Sequence, residues 1–169
     1  MRPIIPRVFI FRFWMRPRYA IIYKVEDNDV KTAYGISLGA LPENRVREFP
    51  LLNLAYIGDT VFDLYIRSYL VKNNMGRVEQ LHSLASGVVN ARSQAKAADL
   101  LEGMFTEREN DVYRAGRNAK STPPKNMSRE DYSRATGLEA VIGYLYLLDS
   151  ERRLDELFGV IVNHFFGGK

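Results

Sequence analysis

From position 51 onward apolar residues return every three or four positions with polar residues between them, the repeat of amphipathic helices. Leu54, Ile57, Val61, Leu64 and Tyr65 mark one such face. They predict a helix with Pro50 in its first turn that runs to about Val71, with Lys72 to Arg77 as its exit and following loop. Leu81, Leu84, Ala85, Val88 and Val89 predict a second helix from about Val78 to Asn90, and its alanine-rich continuation, Ala91 to Met104, suits close helix packing. Thr106 and Glu109 have the spacing of a capping box and open a short helix that Gly116 is placed to end. Ser128, three residues ahead of Asp131, starts the next helix, whose stretch from Ala135 to Leu148 is nearly all apolar. Asp149 and Ser150 mark a break, after which Leu154, Leu157, Phe158, Ile161, Val162 and Phe165 stripe a last helix. Nothing after residue 50 reads as a strand and no internal repeat appears, so the expected fold is all-α.

The first fifty residues follow a different pattern. Two β-branched and aromatic runs, Val8 to Trp14 and Ala20 to Val25, flank the sequence MRPR and read as a short hairpin. Arg12 splits the first run and no small-residue cleavage site follows, which argues against a signal peptide. The segment is also too short and too charged to span a membrane. Residues 26–50, with Gly35, Gly39 and Pro42, read as a linker or short turns. The expected division is an N-terminal extension at 1–48, a variable segment or upstream sequence taken in by an early start, and one helical domain at 49–169.

Charge sharpens that division. The sequence pI is about 9.3, but six of the 24 basic residues and no acid lie in residues 1–25. The remaining 18 basic residues face 20 acidic ones, a net charge of −2. Nucleic-acid binding by the helical part must therefore come from a local patch. One exists: Arg114 to Arg129 carries Arg114, Arg117, Lys120, Lys125 and Arg129 with no acid, and Pro123 and Pro124 make it a loop. The absence of cysteine removes disulfides, thiolate metal sites and cysteine nucleophiles, and suits a reducing cytosol. No serine–histidine–aspartate arrangement, P-loop or dinucleotide fingerprint is present. His82 has no second histidine or cysteine spaced to make a transition-metal set and reads as a surface or capping residue. Tyr144 and Tyr146 read as core or interface.

The candidate chemistry sits in the two most apolar helices. LAYIGDTVFDLYIR places Asp59 beside Gly58 among apolar neighbours, and GLEAVIG carries Glu139 as the one acid of its run, with Gly143 one turn later where another helix can approach. A carboxylate in such company is costly unless its charge is offset. Packed together, the two helices would bring Asp59 and Glu139 to one point, as an oxygen-ligand site for Mg²⁺ requires. Asp63, one turn after Asp59, pairs more naturally with Arg67 at i+4.

These motifs carry a resemblance. LAYIGD–TV, followed some eighty residues later by GLEAVIG, resembles the two signature helices of the ribonuclease III endonuclease domain. With RAGRNAKSTPPKN between them, the chain more closely resembles mini-ribonuclease III, the short form that lacks a double-stranded-RNA-binding domain. The resemblance covers Leu51 to Phe166. It implies a Mg²⁺-dependent endonuclease that cuts double-stranded RNA to 5′-phosphate and 3′-hydroxyl ends, with Asp59 and Glu139 as catalytic residues and metal ligands. It implies a cytoplasmic homodimer with its signature helices lining a shared valley, and maturation of the large-subunit (23S) ribosomal RNA precursor, with a ribosomal protein or the pre-ribosome as further partners. It turns the basic segment into an RNA clamp, with Arg114, Arg117, Asn118, Lys120, Ser121, Lys125 and Asn126 as contacts, suited to a duplex read through phosphates and 2′-hydroxyls. The larger enzymes have further acids where this chain has Ala55 and Thr136, absences that fit the short form and leave the second metal's ligands open. The alternative is a catalytically inactive member of the fold that binds RNA or assists ribosome assembly.

Overall fold

The computed structural model describes residues 39–120, 122, 123, 125 and 128–167. The expected hairpin and the expected contacts Ser121 and Asn126 lie outside the described residues. The helical unit begins at Gly39, and all its regular elements are α-helices: α1 Glu43–Val46, α2 Leu51–Lys72, α3 Val78–Val88, α4 Ala91–Leu101, α5 Glu107–Arg117, α6 Arg129–Leu147 and α7 Glu151–Phe166.

Local chemistry explains the boundaries. Asn90 caps α4 by accepting the Ser93 N–H at 3.0 Å, and Thr106 and Glu109 form the expected capping box on α5. The Ser128 hydroxyl accepts the Asp131 N–H at 3.4 Å at the start of α6. α2 and α6 both end in a left-handed residue, Asn74 (φ 50°) and Asp149 (φ 56°). After each, two backbone N–H groups turn back onto the last carbonyls: Met75 to Leu70 and Asn74 to Val71, then Ser150 to Leu145 and Asp149 to Tyr146. This pairing satisfies carbonyls a helix end would otherwise leave open, and Asn tolerates the left-handed conformation it needs.

α6 is the centre of the bundle, with α2, α4, α5 and α7 packed around it. Ala135 to Leu138 and Ala140 to Leu145 are all buried, as expected for a helix that is apolar on every side. α7 closes the far side of α2 through aromatic contacts, with Phe158 stacked on Tyr65 at 4.3 Å and Phe166 on Tyr69 at 5.6 Å. The residues ahead of α2 belong to this packing as well. Val46 is fully buried, the Leu41 N–H donates to the Leu147 carbonyl at 2.8 Å, and Tyr144 donates to Glu43 at 3.0 Å. Gly39 and Pro42 hide this docking in the sequence because it depends on α6 and not on local periodicity.

Gly116 does not end α5. The helix continues to Arg117 with Asn118 as its cap, and Gly116 is buried instead, where a side chain would strike Ala140 and the backbone of Gly137 and Thr136. Arg114 and Arg117, expected on a loop, therefore stand on the last turn of α5.

Candidate active site

The site originates in a crossing of two backbones. A Cβ on Gly58 would fall on the Glu139 carbonyl oxygen and within 2.8 Å of the Gly143 backbone nitrogen. A Cβ on Gly143 would fall on the Leu54 carbonyl and within 2.9 Å of an Ile57 methyl. Only glycine at both positions lets α2 and α6 approach this closely. The residue after Gly58 is Asp59, and the carbonyl against Gly58 belongs to Glu139, so the crossing that needs the glycines also sets the two carboxylates side by side.

Their environments differ, and the cost falls where the sequence did not place it. Asp59, which the sequence puts in apolar company, is exposed, while its apolar neighbours Val61 and Phe62 are buried in the core. Glu139 is the desolvated member of the pair. Burial pushes its pKa up to about 7, helped by the negative charge of Asp59 and a hydrogen bond between the two carboxylates, while a hydrogen bond from Gln94 works in the other direction. Gln94, on α4, also donates to Asp59 Oδ1 at 3.4 Å. Asp63 is engaged elsewhere: Arg67 Nε lies 2.9 and 2.7 Å from its two oxygens.

Among the described residues no group of three or more His, Cys, Asp or Glu side chains forms a metal cluster. The pair still fits a hard divalent cation. Mg²⁺ takes oxygen ligands, keeps several waters and is commonly anchored by one or two carboxylates with substrate phosphate completing its shell. Two acids set side by side, one of them partly buried and short of positive charge, form such an anchor. Thr136 is buried and its hydroxyl donates to the Tyr132 carbonyl at 2.9 Å, so it closes its own helix rather than the acidic site.

The basic segment begins beside this crossing. Gly116 packs on the α6 turn that carries Glu139, and Arg117 follows it. Arg117, Asn118, Lys120, Thr122, Arg129 and Ser133 line an open polar cleft of about 440 Å³. Arg114, Arg117, Asn118, Lys120 and Lys125 are exposed to solvent. Ser133 and Thr122 were invisible as cleft residues in the sequence, since one lies on α6 and the other in a proline-flanked turn. Gln94 was missed because an amide in an alanine-rich helix has no spacing signature. His82 is exposed, Tyr144 is buried and Tyr146 partly buried, as read from their positions.

The sequence profile of the Ribonuclease III domain family matches residues 52–150. With the all-helical bundle, that match defines the class as an endoribonuclease domain. The chain is 39% identical over 123 residues to the mini-ribonuclease 3 of Staphylococcus aureus, covering 71% of this chain and 92% of that one. It is 42% identical over 114 residues to the mini-ribonuclease 3 of Clostridium tetani, covering 66% and 76%. A crystal structure of a Fusobacterium nucleatum protein aligns with a TM-score of 0.64 at 27% identity, over 70% of this chain and 96% of that one. The chain belongs to the ribonuclease III family, in its short mini-ribonuclease III form.

Proposed function

We propose that this endoribonuclease is a Mg²⁺-dependent, homodimeric enzyme that cuts double-stranded RNA, with Asp59 and Glu139 as its catalytic metal ligands. The observation that carries the reading is the close crossing of α2 and α6 at Gly58 and Gly143, which sets these two carboxylates, eighty positions apart in the chain, beside each other. When bound there, a divalent cation supplies neutralisation of the phosphoryl oxygens and a water activated at neutral pH. Asp59, facing solvent, is open to substrate, and Glu139 fixes the inner side of the site. Hydrolysis adds the oxygen of water to phosphorus and breaks the bond to the 3′ oxygen, leaving a 5′-phosphate and a 3′-hydroxyl. Arg114, Arg117, Lys120 and Lys125 hold the duplex by its phosphates, and Asn118, Ser121 and Asn126 offer partners for 2′-hydroxyls.

A homodimer suits the surface of α2. Leu52 (40% exposed), Tyr56 (81%) and Leu64 (59%) follow one another at multiples of four residues along the helix that carries Asp59. A second copy meeting the same stripe would cover it in an isologous contact and double the basic patches on one duplex. The resemblance supports maturation of the 23S ribosomal RNA precursor in the cytoplasm as the role, with the pre-ribosome or a ribosomal protein presenting the structured target. No described helix is long and apolar enough to cross a membrane.

Incubation of the full chain with a long RNA duplex, with and without Mg²⁺, followed by end-group analysis, tests the reaction. Fragments with 5′-phosphate ends are expected from the wild type with Mg²⁺ and none from Asp59→Asn. Mg²⁺-dependent cutting retained in Asp59→Asn would overturn the site assignment.

A further inference from the structure

We propose that Gln94 is a positioning residue of the metal centre, its buried side-chain amide donating to Asp59 and holding that carboxylate beside Glu139 at the spacing a shared cation needs. The inference deepens the reading of Asp59 and Glu139 as that centre and rests on it. Gln94 lies on α4, a helix that otherwise presents Ala95, Ala97, Ala98 and Leu101 to the core, and its side chain is only 2% exposed. A buried amide costs free energy unless its hydrogen-bonding groups are used. Here the amide nitrogen donates to Asp59 Oδ1 at 3.4 Å on another helix, and the amide is also among the groups that act on Glu139. The nitrogen of a carboxamide carries two N–H donors, so one atom can serve two acceptors.

Neutrality is what makes glutamine suitable. Two carboxylates pressed together repel and would splay apart. A lysine or arginine at position 94 would hold them but supply the positive charge itself and displace the cation. A third acid would add to the repulsion. An amide donates to a carboxylate while leaving its negative charge for the metal. Outer-shell partners of this kind typically contribute 10- to 100-fold to metal affinity or activity.

The test compares the full-length wild type with Gln94→Met, which keeps length and volume but has no donor, and Gln94→Glu, which replaces the donor by charge. Mg²⁺ titrations are read as the rise in thermal midpoint, alongside steady-state cleavage of an RNA duplex. For Gln94→Met the Mg²⁺ concentration giving half the thermal shift should rise roughly 10- to 100-fold. Its kcat at fixed subsaturating Mg²⁺ should fall with it, while KM for RNA stays at the wild-type value, a split that general loosening of the fold would not produce. Gln94→Glu should melt at a lower temperature than wild type without metal, and recover with Mg²⁺ by a larger increment. A folded Gln94→Met with the wild-type Mg²⁺ midpoint and kcat would overturn the role. If Gln94→Met does not fold, a Gln94→Glu protein with the wild-type metal-free melting temperature and Mg²⁺ response overturns it instead. Wild-type protein showing neither cleavage nor a metal-dependent shift would overturn the metal centre and this role together. A wild type that responds beside variants that do not differ from it removes Gln94 alone.

Discussion

Two glutamates in this bundle, Glu109 buried and Glu139 partly buried, meet opposite fates. Glu109, 3% exposed, is held by Arg153, whose Nε and Nη2 donate to its two oxygens at 2.9 Å each, and its Oε2 accepts the Thr106 backbone N–H at 2.8 Å. Burial by itself would raise its pKa, but the Arg153 and Thr106 hydrogen bonds outweigh that and hold it below the ordinary value. Arg153 also donates to the Met104 carbonyl at 2.6 Å, so it ties α7 to the α4–α5 turn. Glu139 has no such cation among the groups that shift it. Burial, a second acid and one amide surround it, and its pKa rises to about 7. A buried acid with its counter-charge built in is finished as structure. A partly buried acid pressed against another acid leaves a charge for something outside the chain to balance, and perturbed groups of that kind cluster at functional sites.

If the contrast is sound, the two glutamates should fail in different measurements. The largest effect is expected at the reaction: Glu139→Gln should cost about 4 kcal/mol of transition-state stabilisation, roughly a thousandfold in kcat/KM, while melting without metal at or above the wild-type temperature. Retained cleavage beside lost stability would make Glu139 a structural acid like Glu109. Arg153→Met should show the reverse. Stranding Glu109 without its partner should cost about 3 kcal/mol in denaturant unfolding, with the Mg²⁺ midpoint of the folded protein unchanged.

The crossing that creates the acidic pair can be probed directly. Gly143→Ala forces a methyl against the Leu54 carbonyl and should destabilise by about 2–3 kcal/mol while raising the Mg²⁺ midpoint, since it separates Asp59 from Glu139 as it pushes the helices apart. Loss of stability with an unshifted metal midpoint would disconnect the glycines from the site.

Acid should expose the finished pair. Because Glu109 has a folded-state pKa below its ordinary 4.5, its stabilisation is fully present above that value and is lost as pH falls through the lower, folded-state value. Urea unfolding below pH 4.5 should show a steep loss in wild type that is shallower in Glu109→Gln. Equal slopes would mean that the ion pair contributes little.

The smallest change expected is in RNA binding. Replacing Arg117 and Lys120 with alanine should reduce the slope of log affinity against log salt by up to about two, measured by gel shift in Ca²⁺. An unchanged slope would leave the cleft beside α6 a bystander.

The sequence by itself determined the helices after residue 50, because helical periodicity, the Thr106–Glu109 box and Ser128 act over a few neighbouring residues. It also marked the two glycine-bearing helices and their acids, since an isolated carboxylate in an apolar run is conspicuous in one dimension. Only the tertiary structure decided which acid would bear more of the burial, because exposure depends on what a neighbouring helix covers: Asp59 came out exposed and Glu139 partly buried. It decided that Gly116 serves backbone contact rather than a helix end, that Arg114 and Arg117 stand on a helix, and that Gln94 reaches Asp59. Each of these depends on distances between residues far apart in the chain, which local pattern does not encode.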